Sequence, residues 1–193
     1  ISYSEKNNSL LKSEKYLTKL TSLNQKILLK HLSWCKTARP KQITPKGDWN
    51  VWLILAGRGW GKTRTGSQDI AFYGLTRPNS RIAIVAPTHR DGRDTCVEGV
   101  SGLLSCLDPE LIENWNRSIS ELTLKNGTVY KIFSAEQPDR LRGPQFHRAW
   151  CDELGAWKNG DAWDQLLFGL RLGENPQIVV TTTPKPTDII KEL

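Results

Sequence analysis

VWLILAGRGWGKTRTG, residues 51–66, joins a short apolar run to a loop holding three glycines, and that loop to a segment able to continue as a helix. An apolar run of this length, bounded by turn residues, reads as a buried strand. The loop AGRGWGKT, Ala56–Thr63, has Gly57, Gly59 and Gly61 and ends on Lys62-Thr63. Between a strand and a helix, such a loop turns its backbone N–H groups onto phosphate oxygens, and the helix N-terminus adds the positive end of its dipole. The three glycines are expected to supply unusual dihedrals and close backbone approach. Lys62 is expected to reach the β- and γ-phosphates and Thr63 to present its hydroxyl to Mg²⁺. Ala56 stands where the G-x-x-x-x-G-K-[ST] pattern asks for Gly, which predicts a mildly altered turn rather than loss of the site. Arg58 has two readings: a guanidinium set beside the γ-phosphate from within the same subunit, or a side chain in solvent or paired with an acid. Trp60 reads as packing.

Outward from this loop the sequence alternates. RIAIVA (81–86) is a second strand, followed by a helical stretch ending near Leu107. SELTLKNGTVYKIF (120–133) is a hairpin turning at Asn126-Gly127, a pair suited to a two-residue turn. FHRAWC (146–151) is another strand, DAWDQLLFGLRL (161–172) a helix, and PQIVVTTT (176–183) a last strand. Strands alternating with helices predict an α/β fold with a mostly parallel sheet flanked by helices. His147 and Arg148 break the apolar character of 146–151, which suggests that one face of that strand is partly wet.

The net charge of +7 is unevenly placed. Residues 1–46 hold ten Lys/Arg and two acids, whereas residues 47–193 hold 17 Lys/Arg and 18 acids. Leu and Ile recur at helical spacing among lysines from Ser9 to His31, which predicts one or two amphipathic helices. The Pro- and Gly-bearing stretch ARPKQITPKGDW (38–49) ends them. We therefore expect a basic helical arm and connector over 1–40 and a P-loop domain over 41–193. The arm suits an acidic partner such as DNA, and equally suits a solvated amphipathic helix. The longest apolar run, VWLILA, falls well short of the roughly 20 residues of a membrane-spanning helix, and no stretch is laid out as a secretory signal. Cys35, Cys96, Cys106 and Cys151 show no metal-like spacing, which suits reduced thiols in a cytoplasm. The chain opens on Ile and contains no Met, so its ends are not read as gene ends.

A phosphate loop that hydrolyses its nucleotide also needs a carboxylate for Mg²⁺ and a group that activates water. Asp152-Glu153 closes the 146–151 strand, 90 residues after Lys62. Acids at a strand's C-terminal tip face the crevice where open α/β sheets bind ligands. Asp152 is thus the expected metal ligand and Glu153 the expected base. Arg140 and Arg142, just upstream, are candidates to supply charge to a neighbouring subunit's site, or form a basic surface loop. Thr181, Thr182 and Thr183 end the last strand with hydroxyls suited to sensing phosphate, although Thr is also an ordinary strand residue.

Taken in order, ARPKQ, WLILAGRGWGKTRTG, IAIVAPT, RLRGPQFHRAWCDELGAW and VVTTTPKPT resemble the N-terminal ATPase domain of tailed-bacteriophage terminase large subunits, the motors that package viral DNA into procapsids. The likeness covers nearly all of residues 38–193. It implies a RecA-like P-loop NTPase of the additional-strand, catalytic-glutamate type, using ATP and Mg²⁺. It places Gln42 at the adenine, Ala56–Thr63 as Walker A, Asp152 as Walker B, Glu153 as the catalytic glutamate and Arg142 as a finger acting on a neighbouring subunit. Thr181–Thr183 match the motif that couples hydrolysis to movement. The partners implied are double-stranded DNA, the portal protein, the small terminase subunit and further copies in a ring, with a monomer in isolation, all in the host cytoplasm. The family's C-terminal nuclease domain is expected to lie outside residues 1–193, so no DNA cleavage is expected of this segment. Two other readings are a superfamily 2 helicase, suggested by IAIVAPT but opposed by LGAW after the acids, and a nucleotide-binding module that does not hydrolyse.

Overall fold

The computed structural model describes residues 22–158 and 160–193. The chain divides into two compact units, Ile1–Ile43 and Thr44–Leu193. In the first, helix α1 runs Ser22–Thr37, with a 3-10 turn at Pro40–Gln42. The expected helical span over 9–21 lies outside the described residues. Past His31 the helix continues six residues further than expected, because nothing before Pro40 breaks it. Its last turn is closed by the Thr37 hydroxyl, which donates to the carbonyls of Ser33 and Trp34. In the 3-10 turn, Gln42 Oε1 accepts the Arg39 backbone N–H at 3.0 Å.

The second unit is built on seven strands: β1 (Val51–Leu55), β2 (Arg81–Ala86), β3 (Ile112–Asn116), β4 (Glu121–Leu124), β5 (Val129–Ser134), β6 (Arg148–Asp152) and β7 (Gln177–Thr182). Their order across the sheet is β1-β7-β6-β2-β5-β4-β3. The first five strands in this order pair in parallel, and β4 and β3 extend the edge in antiparallel fashion. The expected mostly parallel sheet is therefore present, with the hairpin turning at Asn126-Gly127. Strand β7 lies between β1, which leads into the phosphate loop, and β6, which ends on the acids.

Helix α2 (Lys62–Thr76) follows the loop. Alternate residues of β2 serve opposite faces, as the period of a strand dictates. Ile82 and Ile84 join Ile54, Ile70, Tyr130 and Trp150 on one side. Ala83 and Val85 join Phe133, Phe146, Trp163 and Leu166 on the other. Trp163 and Leu166 come from a later helix, Asp161–Gly169.

Two expectations need correction, and one strand was not anticipated. The stretch after β2 is not one helix but a single turn at His89–Asp91, a π-helical segment at Gly92–Val97 and a short helix at Leu103–Cys106. Glycines at 92, 99 and 102 punctuate it, and Gly92 lies so close to β5 that a Cβ there would meet Ile132 at 2.4 Å. Strand β3 had no counterpart in the sequence reading; it is a half-exposed edge strand with a register shift between Ile112 and Asn114. Strand β6 is buried throughout rather than partly wet. Arg148 is accommodated inside by a two-pronged ion pair with Asp69, at 2.9 and 2.7 Å, by Gln177, and by the faces of Trp49 and Tyr73.

Candidate nucleotide site

The loop Ala56–Gly61 leaves β1 and delivers Lys62 and Thr63 to the first turn of α2. Gly59 and Gly61 have φ of +75° and +89°, a region that residues with a Cβ avoid. The conformational expectation holds for these two and not for Gly57, which has an ordinary φ and open space where a Cβ would stand. Ala56 also has no positive φ. Its N–H continues the ladder to Thr182 O at 3.1 Å, and its methyl packs on the core. That accounts for Ala in the first position of the motif. Trp60 likewise packs on the core.

Lys62 is 8% exposed. Its ammonium donates to Ala56 O at 3.0 Å, Gly57 O at 3.3 Å and Thr183 Oγ1 at 3.3 Å, and lies 3.4 Å from Glu153 Oε1. The Thr183 hydroxyl in turn donates to Glu153, at 3.0 Å to Oε2, and its backbone N–H donates to the same oxygen at 3.1 Å. Lys62, Thr183 and Glu153, drawn from three separate parts of the sequence, thus converge.

Glu153 sits in the left-handed region, at φ 46° and ψ 47°, which costs a residue with a side chain about 1–2 kcal/mol. Its neighbours enforce that conformation. Leu154 is fully buried and Trp157 nearly so, while the Trp157 indole N–H donates to Asp152 O at 3.1 Å. Strain maintained in this way is a mark of functional positions.

Asp152 is 5% exposed. Thr181 Oγ1 donates to its Oδ1 at 2.7 Å and Cys96 Sγ to its Oδ2 at 3.5 Å. Both partners are neutral. Burial raises its pKa from 3.8 to about 6, with Glu153 adding to the shift and the hydrogen bonds and the charge of Lys62 opposing it. Burial, reinforced by the charge of Asp152, holds the Cys96 thiol well above its usual range, so it remains a donor.

The three threonines have separate duties. Thr181 and Thr182 are fully buried. Thr182 Oγ1 accepts the Gly155 N–H at 2.9 Å and so helps to shape the turn after the acids. Only Thr183, one residue beyond β7, reaches Lys62 and Glu153.

A cleft of about 550 Å³ opens over the loop, lined by Gly57–Arg64 and Glu153, with Asp94, Thr95 and Gly99–Ser101 as its far wall. The sequence reading missed that wall; the glycines in GRDTCVEGVSG, just past the C-terminal tip of β2, were the available signal. Arg58 is exposed, lines the cleft and forms no ion pair among the described residues. Arg142 does not line the cleft. It pairs with Asp139 at 3.2 Å and borders a separate hollow with Phe168 and Arg171. Arg140 borders a third, with His89, Arg93, Arg117 and Lys131. Gln42 belongs to the first unit.

A parallel sheet with the phosphate loop at the tip of one strand, an acidic pair at the tip of another and a third strand between them defines a P-loop NTPase. Residues 53–193 match the family described as terminase large subunit, T4likevirus-type, N-terminal, and the chain belongs to that family. Its fold is the RecA-like one of terminase ATPase domains. The chain is similar to the large terminase ATPase domain of Thermus phage P74-26, with a TM-score of 0.65 at 20% identity over 81% of this chain and 68% of that one. It is similar to the large terminase of another thermophilic bacteriophage, solved in complex with ADP, with a TM-score of 0.56 at 17% identity over 82% of this chain and 38% of that one. It is also similar to the HK97 bacteriophage large terminase, with a TM-score of 0.57 at 20% identity over 88% of this chain and 34% of that one. The chain thus spans about a third of the HK97 protein's length. No curated protein sequence matches significantly. The helicase and non-hydrolysing readings gain no support from these matches. Among the described residues no helix is long and apolar enough to cross a membrane.

Proposed function

We propose that this domain hydrolyses ATP with Mg²⁺ and uses the energy to drive double-stranded DNA into a procapsid. The observation that carries the reading is the convergence of Lys62, Thr183 and Glu153 at the phosphate loop. The loop amides and Lys62 bind the phosphates. Glu153, held by Thr183, accepts a proton from the water that attacks the γ-phosphorus. The bond to the bridging oxygen breaks, giving ADP and phosphate. The ADP complex of the thermophilic phage terminase supports the choice of an adenine nucleotide, with Gln42 as the residue proposed to read the base.

The donor set fits Mg²⁺. Mg²⁺ is usually held by one or two carboxylates together with substrate phosphates and water. Thr63 and Asp152 would hold it here, where it would neutralise charge on the phosphates.

We assign Arg142 the role of a finger reaching a neighbouring copy, because it is exposed and stands away from its own cleft. Such arginines contribute about 10³–10⁵ in rate. The ring of copies, the portal protein and small terminase subunit as partners, and action in the host cytoplasm belong to the same proposal. So does coupling of hydrolysis to movement through Thr181–Thr183, with Arg58 as an additional contact to the γ-phosphate.

In the test, Glu153→Gln keeps binding of a fluorescent ATP analogue within about twofold and lowers turnover by about 10²–10⁴. Turnover within twofold of the parent would remove Glu153 from the chemistry. Arg142→Ala is expected to abolish the rate increase on assembly while leaving the basal rate of the isolated domain intact. An assembled rate equal to the parent's would refute the finger.

A further inference from the structure

Asp152 is gripped through a buried chain that begins on its own strand. The Trp150 indole N–H donates to Thr181 Oγ1 at 2.7 Å, and the same hydroxyl donates to Asp152 Oδ1 at 2.7 Å. On the other side Cys96 Sγ, from the π-helical segment, donates to Oδ2 at 3.5 Å. Trp150, Thr181 and Cys96 are all fully buried.

The chemistry of these groups gives the chain a direction. An indole N–H can only donate, and a hydroxyl has a single proton. By filling a lone pair on Thr181, Trp150 turns that proton outward. It then has two acceptors to choose between, Asp152 Oδ1 at 2.7 Å and Cys151 O at 3.4 Å, and the nearer one wins. With one oxygen held by Thr181 and the other by Cys96, the plane of the carboxylate is fixed, and lone pairs on both oxygens remain for a cation.

The indole is itself fixed from the phosphate side. A Cβ on Gly66 would fall 2.3 Å from Trp150 Cε2, so α2 rests directly on the ring. The helix that begins with Lys62 and Thr63 is thereby in contact with the group that orients Asp152.

We propose that Trp150 and Cys96 are positioning residues for the metal-binding carboxylate, Trp150 acting through Thr181, and that the Gly66–Trp150 contact sets Asp152 relative to Thr63. This rests on the reading of Asp152 as the Mg²⁺ ligand. Partners that orient a ligating carboxylate typically change metal affinity about 10–100-fold when removed.

The test measures Mn²⁺ affinity of the ADP-bound domain by EPR titration, alongside metal-free ADP affinity and thermal unfolding. Trp150→Phe and Thr181→Val are expected to weaken Mn²⁺ about tenfold or more, with metal-free ADP affinity within about twofold. Thr181→Ser restores affinity to within about threefold. Cys96→Ala weakens it about two- to fivefold, and Cys96→Ser recovers it. A folded Trp150→Phe variant with unchanged Mn²⁺ affinity overturns the proposal. If that variant does not fold, equal affinities for Thr181→Val and Thr181→Ser overturn it instead. Asp152→Asn separates the two levels. Unchanged Mn²⁺ binding in that variant refutes the metal reading itself, whereas its loss there but not in Trp150→Phe or Thr181→Val refutes only the positioning role.

Discussion

Strand β6 has a buried charge at each end, and the two are treated in opposite ways. At the N-terminal end Arg148 is matched by Asp69, braced by Gln177 and sandwiched near aromatic faces. At the C-terminal end Asp152 has a hydroxyl, a thiol and no ion pair among the described residues. A compensated buried charge fixes the structure around it. One left with neutral hydrogen-bond partners is, on the proposed function, the one a cation would meet. The same strand therefore anchors the sheet at one tip and carries the proposed metal ligand at the other.

The sharpest way to break this contrast is at the compensated end. Arg148→Met leaves Asp69 buried without its cation, its charge met by the Thr44 hydroxyl at 2.8 Å, which should cost about 3–5 kcal/mol, read as a fall in unfolding free energy by denaturant titration. Replacing Asp69 by Leu as well should recover much of that loss, because a buried pair exchanged for apolar residues is often nearly neutral. An unchanged single variant would show that the pair contributes little.

The opposite sign is expected at the other end. Asp152 has a pKa of about 6 in the fold against an ordinary 3.8, so between about pH 4 and pH 6 the native state holds a proton that the unfolded chain has released. Its contribution to stability is present in full below pH 4 and is lost as pH rises through about 6, a difference of about 3 kcal/mol. Asp152→Asn escapes that loss. In metal- and nucleotide-free buffer it should unfold at a higher temperature than the parent at pH 8, with the gap narrowing towards pH 4. Equal unfolding temperatures across this range would count against an uncompensated Asp152.

A smaller effect probes the contact between α2 and the middle of the strand. Gly66→Ala forces a methyl against the Trp150 ring, and overpacking of this kind costs about 1–3 kcal/mol. Calorimetry would register it, and an unshifted transition would mean that the ring yields freely.

What the sequence disclosed and what it hid divide along the range of the interactions. The phosphate loop, the strand leading into it and the Asn126-Gly127 hairpin depend on residues adjacent in the chain, and all were legible. So were Asp152 and Glu153 as a pair at a strand tip. Arg148 was misread because its partner, Asp69, is 79 residues away; nothing local shows that a buried Arg is neutralised. Strand β3 was missed because IENWN is a half-polar edge strand without clean alternation. The three threonines looked equivalent, and only the end of β7 at Thr182 separates two buried hydroxyls from one that reaches Lys62 and Glu153. The far wall of the cleft, Asp94, Thr95 and Gly99–Ser101, belongs to a helical stretch broken by glycines, where periodicity fails as a guide.

The left-handed backbone of Glu153 has a consequence for descent. Glycine occupies that conformation at little cost, so the fold alone would favour glycine there. A lineage released from the need to split its nucleotide should drift at this position towards glycine or asparagine while its neighbours Leu154 and Trp157 persist. If Glu153 activates water as proposed, the residue found at 153 in a diverged copy would report whether that copy still turns over its nucleotide or keeps only the shell of an engine.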